Sequence, residues 1–444
     1  MKNLAKLMVA AAALLAGPSL GSGRQVCEPG WLKGEGVPGT NGDVLELTTF
    51  DPDGTGPQPA QLIAGGVFTI AGTVQANNIA RWDGSMWQPL GAGMNYGVAA
   101  LTTFDPDDAG PQPPQLIAAG DYRSGVDGQA NTFLVSRWDG SAWQPLGTGM
   151  DSEIRALTSF DADGTGPQPP QLIAGGLFTT ADGAAVNYVA RWDGSAWQPL
   201  GAGLDNFVDA LAAFDPDGAG PQPPQLIAGG SFTSAGGVSA NCIARWDGVA
   251  WQALGSGMNG DVADVSSLAT FDPDGAGPQP PQLIAGGSFT SAGGVAAINA
   301  ARWDGFTWQP LGTGMNAKVI ALTTIGADGT GPQPHQLIAG GIFTLADGTA
   351  ANYVARWDGV AWHALGTGVS YWVLALTTFD ADSIGPRPPS LIAGGYFSNA
   401  GESDVTHVAG WGGSEWHALG TGGGVMSNPS RHLTPTAPAR SRRS

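Results

Sequence analysis

Short apolar runs bounded by Gly, Pro, Asn and Asp recur along the whole chain. One unit shows the pattern clearly, with apolar runs at residues 154–160, 171–176, 188–192 and 196–200. Each run has the length of a strand, and no segment shows a sustained 3.6-residue period. The pattern therefore predicts four short β-strands in this unit and little helix anywhere in the chain.

The polar residues between these runs predict turns. Asp193-Gly194 separates the last two runs, and Asp-Gly between two apolar runs is the strongest short hairpin signal, because Gly accepts a positive φ. Gly175-Gly176 closes the second run and predicts a place where only backbone fits. An acidic turn and a Pro-rich link at residues 161–170 separate the first two strands.

The unit is one of seven tandem copies. The motif Arg-Trp-Asp-Gly begins at Arg81, Arg137, Arg191, Arg245, Arg302 and Arg356, and a worn copy begins at Gly410, in steps of 54 to 57 residues. A single four-stranded sheet leaves an apolar face in water, whereas radial stacking of such sheets buries both faces. We therefore predict an all-β fold, a seven-bladed β-propeller with four antiparallel strands per blade, over residues 43–420.

Tryptophan marks the seams of this predicted fold. Nearly all of the 16 Trp residues occupy two positions per copy, such as Trp82 and Trp87. A buried Trp removes roughly 150–250 Å² from water, so we interpret these residues as packing between blades and not as sugar-stacking platforms. The repeated Arg, such as Arg191, is expected to pair with a neighbouring blade or to cover a Trp.

The repeat resembles a known family. Leu172-Ile173-Ala174-Gly175-Gly176, followed by Asn187, Trp192-Asp193-Gly194 and Trp197, resembles the kelch repeat, with its Gly-Gly after an apolar strand and its Trp on the last strand. The same spacing is similar to Trp-Asp-Gly repeats of secreted bacterial proteins and of fungal cortical polarity markers. The resemblance implies a propeller. Kelch-like propellers include both binding scaffolds and copper oxidases of the galactose oxidase type, so the fold leaves the function open.

The ends of the chain differ from the repeats. Residues 1–21 combine Lys2 and Lys6, an apolar run and small residues suited to cleavage, which predicts a signal peptide and no membrane span. The protein is then secreted, extracellular or periplasmic, with association to the cell surface left open. Residues 22–42 form a lead-in, in which the stretch around Trp31 is a candidate closing strand. Residues 421–444, rich in Pro, Ser, Thr and Arg, are expected to be a disordered tail.

The net charge and the titratable residues exclude some classes of ligand and cofactor. A formal net charge of −19 argues against binding to nucleic acid or to anionic membranes. The five His residues are not expected to meet at one metal site, because their repeat positions lie apart. Whether Cys27 pairs with Cys242 stays open. Turns such as Asp51-Pro52-Asp53-Gly54 offer oxygen ligands for calcium, but they also read as ordinary β-turns. We expect no cofactor, with calcium left open, and favour a protein that is not an enzyme.

The candidate binding residues are those at which the copies disagree. The residues before each predicted first strand vary most and should surround the mouth of a central channel, because loops on a rigid scaffold carry binding; neutral drift on a solvent face is the alternative. The second copy also breaks its Gly-Gly-x-Phe pattern. The predicted ligand-binding residues are Tyr96, Asp121, Tyr122, Arg123, Glu153, Phe207, Asp261, Lys318, Tyr371 and Trp372. A secreted monomer that binds an unidentified protein or glycan is the favoured function, and a copper oxidase or a polysaccharide hydrolase or lyase is the alternative.

Overall fold

The computed structural model describes residues 37–54, 56–108, 110–121, 133–164, 166–218, 220–274, 278–326, 335–381 and 389–420. The predicted signal peptide, residues 22–36 of the lead-in, the predicted tail, Cys27 and Trp31 lie outside these ranges. Throughout the described residues the regular elements are β-strands. None of the described segments forms a helix of the length and apolarity that a bilayer crossing requires.

In six of the seven repeated units the four main strands form a separate four-stranded antiparallel sheet, and in every unit these strands pair in chain order. The four strands of the second unit belong to a six-stranded sheet, because Met150 at the end of its fourth strand also pairs with Ala181 of the next unit's hairpin. The first strands are Asp43–Phe50, Gly97–Phe104, Ile154–Phe160, Val208–Phe214, Asp264–Phe271, Val319–Ile325 and Val373–Phe379. The second strands are Gln61–Val67, Gln115–Asp121, Gln171–Gly176, Gln225–Gly230, Gln282–Ser288, Gln336–Gly341 and Ser390–Gly395. The third strands are Ile79–Trp82, Phe133–Trp138, Val189–Trp192, Ile243–Trp246, Ala300–Trp303, Val354–Trp357 and Val408–Trp411. The fourth strands are Trp87–Pro89, Trp143–Met150, Trp197–Pro199, Trp251–Ala253, Trp308–Pro310, Trp362–Ala364 and Trp416–Ala418.

Small hairpins project from the connection between the second and third strands. They pair Ile70–Ala71 with Val74–Gln75, Thr180–Ala181 with Ala184–Ala185, Ser234–Ala235 with Val238–Ser239, Ser291–Ala292 with Val295–Ala296, Leu345–Ala346 with Thr349–Ala350, and Asn399–Ala400 with Ser403–Asp404. The connector that enters the next unit pairs with that unit's hairpin, through the strand Met258–Asn259 for example. The hairpins of the third to seventh units thus tie each unit to its predecessor.

The turn between the third and fourth strands explains the Trp-Asp-Gly motif. In the third unit, Asp193 Oδ1 accepts hydrogen bonds from the backbone N–H groups of Ser195 at 2.9 Å and Ala196 at 2.8 Å. Gly194 has a φ of 96°, which favours glycine. The preceding arginine pairs within its own sheet, contrary to the expected contact with a neighbouring blade. Arg81, for example, donates to Gln61 on the second strand and Gln88 on the fourth.

Contacts between successive units run through the first strands. The first strand of each unit contacts that of the next, and the first strand of the seventh unit contacts that of the first. Each unit boundary encloses apolar side chains, such as the cluster that joins Phe379 and Ile392 of the seventh unit to Leu62 and Trp87 of the first. The core of the molecule is therefore divided among the spaces between sheets.

The tryptophan of every fourth strand bonds to the preceding unit. Its indole N–H donates to the carbonyl of the leucine that stands three residues after the corresponding tryptophan of the preceding unit. The pairs are Trp143–Leu90, Trp197–Leu146, Trp251–Leu200, Trp308–Leu254, Trp362–Leu311, Trp416–Leu365 and, between the first and last units, Trp87–Leu419. The prediction that these residues pack between units is confirmed. Their N–H groups are satisfied in the same contact, as buried indoles require.

The described part of the lead-in binds the first and last units together. Thr40 bridges Ala71 of the first hairpin, and its N–H donates to the Thr406 carbonyl of the last unit at 3.1 Å. Leu204 makes the equivalent two contacts inside the chain, with Ala235 and Asn187. Residues 37–41, called the closing strap below, therefore occupy the place of an inter-unit connector. The fourth strand of the last unit comes from its own repeat, Trp416–Ala418.

Removal of the closing strap should destabilise the protein. A chain that starts at Gly42 loses five backbone hydrogen bonds of the strap to Ile70, Gly72 and Thr406. At about 1 kcal/mol each, less the entropy regained, we expect unfolding free energy to fall by roughly 2–4 kcal/mol, measured by urea denaturation. A chain that starts at Val37 is the control and should match the full chain. Equal stability of the two truncated chains would contradict this role.

Candidate ligand-binding site

A bulge in each first strand determines which side chains face the centre of the molecule. The pairing of first and second strands shifts by one residue at each bulge, as between Ile154 and Ala156. The extra residue, here Arg155, has no partner on the second strand, so a bulge redirects its side chain. Both Arg155 and Ala156 line the same central cavity. The bulge therefore brings two consecutive residues of one strand to one surface.

The central cavity has a volume of about 190 Å³ and is lined by the seven first strands. Three successive positions of these strands form three rows, which we name by their common feature. The bulge row is Leu45, Ala99, Arg155, Asp209, Ser266, Ile320 and Leu374; the alanine row is Glu46, Ala100, Ala156, Ala210, Ser267, Ala321 and Ala375; the leucine row is Leu47, Leu101, Leu157, Leu211, Leu268, Leu322 and Leu376. Most members of each row line the cavity.

The three rows differ in chemistry. The leucine row is the same in every unit, and five of its members are buried. The bulge row is mixed, and its polar members Arg155, Asp209 and Ser266 come from three consecutive units. In the alanine row, Glu46 and Ser267 replace alanine. The cavity lining is therefore polar in parts of the bulge and alanine rows and apolar along the leucine row.

Arg155 is held by two carboxylates. Its Nη1 lies 2.6 Å from Asp209 Oδ1, and its Nη2 lies 3.3 Å from Glu153 Oε2. Its guanidinium carbon lies 5.8 Å from the centre of the Phe207 ring, a cation–π distance. These contacts fix the arginine side chain at one side of the cavity.

Burial in the cavity disfavours the charged form of the Glu46 carboxyl group. Desolvation by burial raises the pKa of Glu46 from 4.5 to about 8, and a hydrogen bond from the Leu47 backbone opposes this rise. Among the described residues, none pairs with it as a cation. The sequence offered a signal for this residue, because Glu46 is the one charged residue in a row of alanines and a serine.

Replacement of Glu46 by Gln should stabilise the protein at high pH. The raised pKa means that, between about pH 4.5 and 8, the folded state holds a proton that the unfolded state has lost, so stability falls as pH rises. We expect Glu46→Gln to raise unfolding free energy by roughly 1–3 kcal/mol above pH 8, less than the full linkage value because the side chain is part-exposed. The gain should vanish near pH 4. Urea denaturation at both pH values tests this, with the exposed Glu415→Gln as control.

The structure places the residues predicted at the mouth of the cavity in different surroundings. The row that precedes the recurring Val or Ile of each first strand, called the mouth row, is Asp43, Gly97, Glu153, Phe207, Asp264, Lys318 and Trp372. It contains four of the predicted binding residues, namely Glu153, Phe207, Lys318 and Trp372. Lys318 forms an ion pair with Asp264 of the preceding unit. Glu153 reaches Arg155.

Aromatic side chains cluster on one side of the mouth. Tyr371 stacks on Trp372 with ring centres 4.9 Å apart and an interplanar angle of 13°. Trp372 also contacts Tyr396 at 5.8 Å, and Tyr371 contacts Tyr353 at 6.0 Å. Tyr371 is 44% exposed. These four rings form the aromatic patch, which comes from the last two units.

The predicted rim residue Tyr96 lies in the seam between the first two units, and its role in ligand binding stays a prediction. Its side chain is only 7% exposed and packs with Phe50, Met94 and Val98 between the first two units. Burial raises the pKa of its hydroxyl, and a hydrogen bond with Ser136 opposes that rise. The apolar ring is more stable in this seam than in water, so the connector turns it inward.

Asp261 and Asp121 are not among the residues that line the described cavity. Asp261 is exposed on the turn that precedes the fifth first strand. Asp121 ends the second strand of the second unit and pairs there with Gly97. Tyr122 and Arg123 lie outside the described residues.

The alternative chemistries receive no new support from the described residues. Within these ranges, no three His, Cys, Asp or Glu side chains are grouped to hold a metal ion. In the first acidic turn, Asp51 Oδ1 accepts from the Asp53 N–H, and Asp53 Oδ2 accepts from the Gln58 N–H, as the β-turn interpretation requires. Cys242 is a buried free thiol, and burial raises its pKa to about 12.

Comparisons with known proteins give structural neighbours alone. No protein-family model matches the sequence, and no curated protein matches it. A crystal structure of BBS1N in complex with ARL6DN, soaked with lead, aligns over 82% of this chain and 94% of that chain, with 11% identity and a TM-score of 0.45. The Saccharomyces cerevisiae Sqt1 aligns over 73% and 85%, with 12% identity and a TM-score of 0.38. Similarities at this level define no function for the chain.

Proposed function

We propose that the chain is a seven-bladed β-propeller that acts as a binding scaffold and engages a protein or glycan ligand at the mouth of its central cavity. The bladed arrangement is supported by the contact of the last first strand with the first. The hydrogen bond from Trp87 to Leu419 across the same boundary supports it further. Projection images of the purified protein by electron microscopy should show seven sectors; six, eight or an open arc would contradict the proposal.

The binding role is supported by a contrast in residue identity: positions in the framework are the same in every unit, and positions at the mouth vary. The leucine row and the seam tryptophans are the same in all seven units, whereas the mouth and bulge rows differ in almost every unit. Ion pairs of the third to sixth units and the aromatic patch of the last two units both lie at the mouth. A rigid framework with variable surface positions is typical of binding proteins.

The proposal also covers the repeat family and the location. Kelch-like repeats are supported by the paired glycines that end the second strands and by the tryptophan that begins each fourth strand. Secretion is supported by the order of charge, apolar run and small residues in segment 1–21. A reporter fused after residue 21 and assayed in the medium tests this second point; retention inside the cell would contradict it.

Loss of the aromatic patch should weaken ligand capture. Immobilised mature protein would first be screened against a glycan array and against extracellular proteins to identify the ligand. The double variant Tyr371→Ala with Trp372→Ala should then reduce affinity by at least about tenfold, because clustered aromatic residues dominate interface energies. The control is Phe306→Ala, whose ring is 87% exposed on a turn between third and fourth strands, at the opposite end of the sheets. An equal effect of the two variants would contradict binding at the mouth.

A further inference from the structure

Glu46 stands where the other units place small side chains. The alanine row contains five alanines, one serine and Glu46, and it lies next to the leucine row at the base of the cavity. The carboxyl group of Glu46 is therefore the largest polar group in that row. Glu46 is partly exposed and accepts a hydrogen bond from the Leu47 backbone, but no cation among the described residues pairs with it, so a cationic ligand would supply the counter-charge.

A serine hydroxyl beside the cavity lacks a hydrogen-bond partner within the described part of the chain. It is the hydroxyl of Ser266, whose oxygen is buried. Ser266 lies in the bulge row, and the neighbouring Ser267 lies in the same row as Glu46. Buried polar atoms in proteins are nearly always satisfied. The Ser266 hydroxyl oxygen is itself shielded from the cavity, so the polar groups that a ligand would meet there include the Glu46 carboxyl group and the hydroxyl group of Ser267.

The charge around the cavity is negative. The mouth, bulge and alanine rows together contain five carboxylates, which are Asp43, Glu46, Glu153, Asp209 and Asp264, against the two cations Arg155 and Lys318. Both cations are already paired, Arg155 with Glu153 and Asp209, and Lys318 with Asp264. Asp43 lies 3.4 Å from His407 Nδ1. Glu46 is the remaining acidic group, and because burial raises its pKa to about 8, a cationic ligand would bind at neutral pH with release of the Glu46 proton.

We propose that the central cavity binds the guanidinium group of an arginine side chain presented by a partner polypeptide, with Glu46 as its carboxylate. This inference rests on the proposed function and specifies its ligand. A guanidinium carries five N–H donors in a planar fork, which suits a carboxylate together with a serine hydroxyl. The aliphatic part of the arginine would pass the alanine row, and the flanking residues of the partner would meet the aromatic patch.

A glycan fits these observations less well. A neutral sugar supplies no counter-charge to Glu46. Tyr371 and Trp372 also stack face to face, so each has one ring face covered that a sugar would otherwise contact. The polypeptide is therefore the partner that the cavity favours, and sugar binding becomes one outcome of the test.

The test uses an acetylated and amidated Gly-Arg-Gly peptide, the same peptide with citrulline or lysine in place of arginine, and free L-arginine. Affinities are measured by calorimetry on the mature protein. We expect the arginine peptide to bind and its affinity to fall at least about tenfold with citrulline and with Glu46→Ala. Glu46→Ala places in the first unit the residue that five units already carry, so folding should be retained. Glu415→Gln removes an exposed charge at the opposite end and should leave affinity unchanged.

Several results would overturn the inference. Equal binding of the arginine and citrulline peptides, or unchanged binding by Glu46→Ala, would show that Glu46 is not the recognising carboxylate. Free L-arginine binding as tightly as the peptide would exclude a polypeptide partner as the source of the group. Failure of every peptide, while capture of the screened ligand still depends on the aromatic patch, would contradict the inference and leave the proposed function intact. Loss of both kinds of binding would contradict both.

Discussion

Replacement of Trp197 by alanine should lower the free energy of unfolding by about 3–5 kcal/mol, in the range of large buried aromatic residues. The side chain is 1% exposed and packs in the seam between the second and third units with Phe178 and Leu172. Its indole N–H donates to the Leu146 carbonyl at 3.0 Å. The variant therefore loses apolar burial and leaves a buried carbonyl without its donor. Urea denaturation measures the change.

Two further variants separate these effects. Trp197→Phe keeps most of the apolar burial and removes the N–H donor, so it should lower the unfolding free energy by about 1–3 kcal/mol. Phe306→Ala removes an aromatic ring that is 87% exposed and should change stability by less than about 0.5 kcal/mol. If Trp197→Ala were as stable as Phe306→Ala, the seam tryptophans would not hold the units together.

Replacement of Gly176 by alanine should destabilise the protein more than the same change at Gly175. A Cβ at Gly176 would overlap the backbone carbonyl oxygen of Glu153 at the bulge, and backbone cannot move without disturbing the sheet. A Cβ at Gly175 would instead press on the Val208 side chain of the next unit. We expect about 3 kcal/mol for Gly176→Ala and about 1 kcal/mol for Gly175→Ala, by analogy with overpacking of cores. Thermal or urea denaturation of the two variants tests the order.

The chain contains an internal control for this comparison. The second unit has Ala119 at the position of Gly175, where it is fully buried, and keeps Gly120 at the position of Gly176. Alanine is thus already accommodated at the first glycine position, and the second position is glycine in all seven units. An equal loss of stability in the two variants would show that the bulge does not need the close backbone approach.

The strands could be predicted because they carry local signals. The run predicted at residues 188–192 is the strand Val189–Trp192, and the one at 196–200 is Trp197–Pro199. The small hairpins, such as Thr180–Ala181 with Ala184–Ala185, were not predicted. Two-residue strands have no period to read, and their pairing depends on the connector of the preceding unit. Tertiary contacts, which a local pattern does not contain, determine them.

Only the mouth of the candidate site could be predicted from the sequence, and the reason is physical. Variation between copies identified the mouth row, which includes Glu153, Lys318 and Trp372, but it did not identify Glu46 and Ser266 inside the cavity. A strand of regular alternation would place the two residues after the recurring Val or Ile on opposite faces. The bulge breaks that alternation and brings both to the cavity. Because a bulge leaves no composition signal here, it could not be anticipated.

The closing strap implies that the position of the chain ends is interchangeable among the unit boundaries. Gly420 lies beside Val37 and Gly39, so close that a Cβ added to Gly420 would stand 3.4 Å from the Val37 carbonyl oxygen. A short linker could therefore join these two points, while new ends are opened at another connector, such as the one through Leu204. Such a circularly permuted protein would keep every sheet whole and every indole bond between neighbours. The contacts at the boundary between the last and first units are of the same kind as those at the other boundaries, so the strap can be replaced by a covalent connection without loss of these contacts.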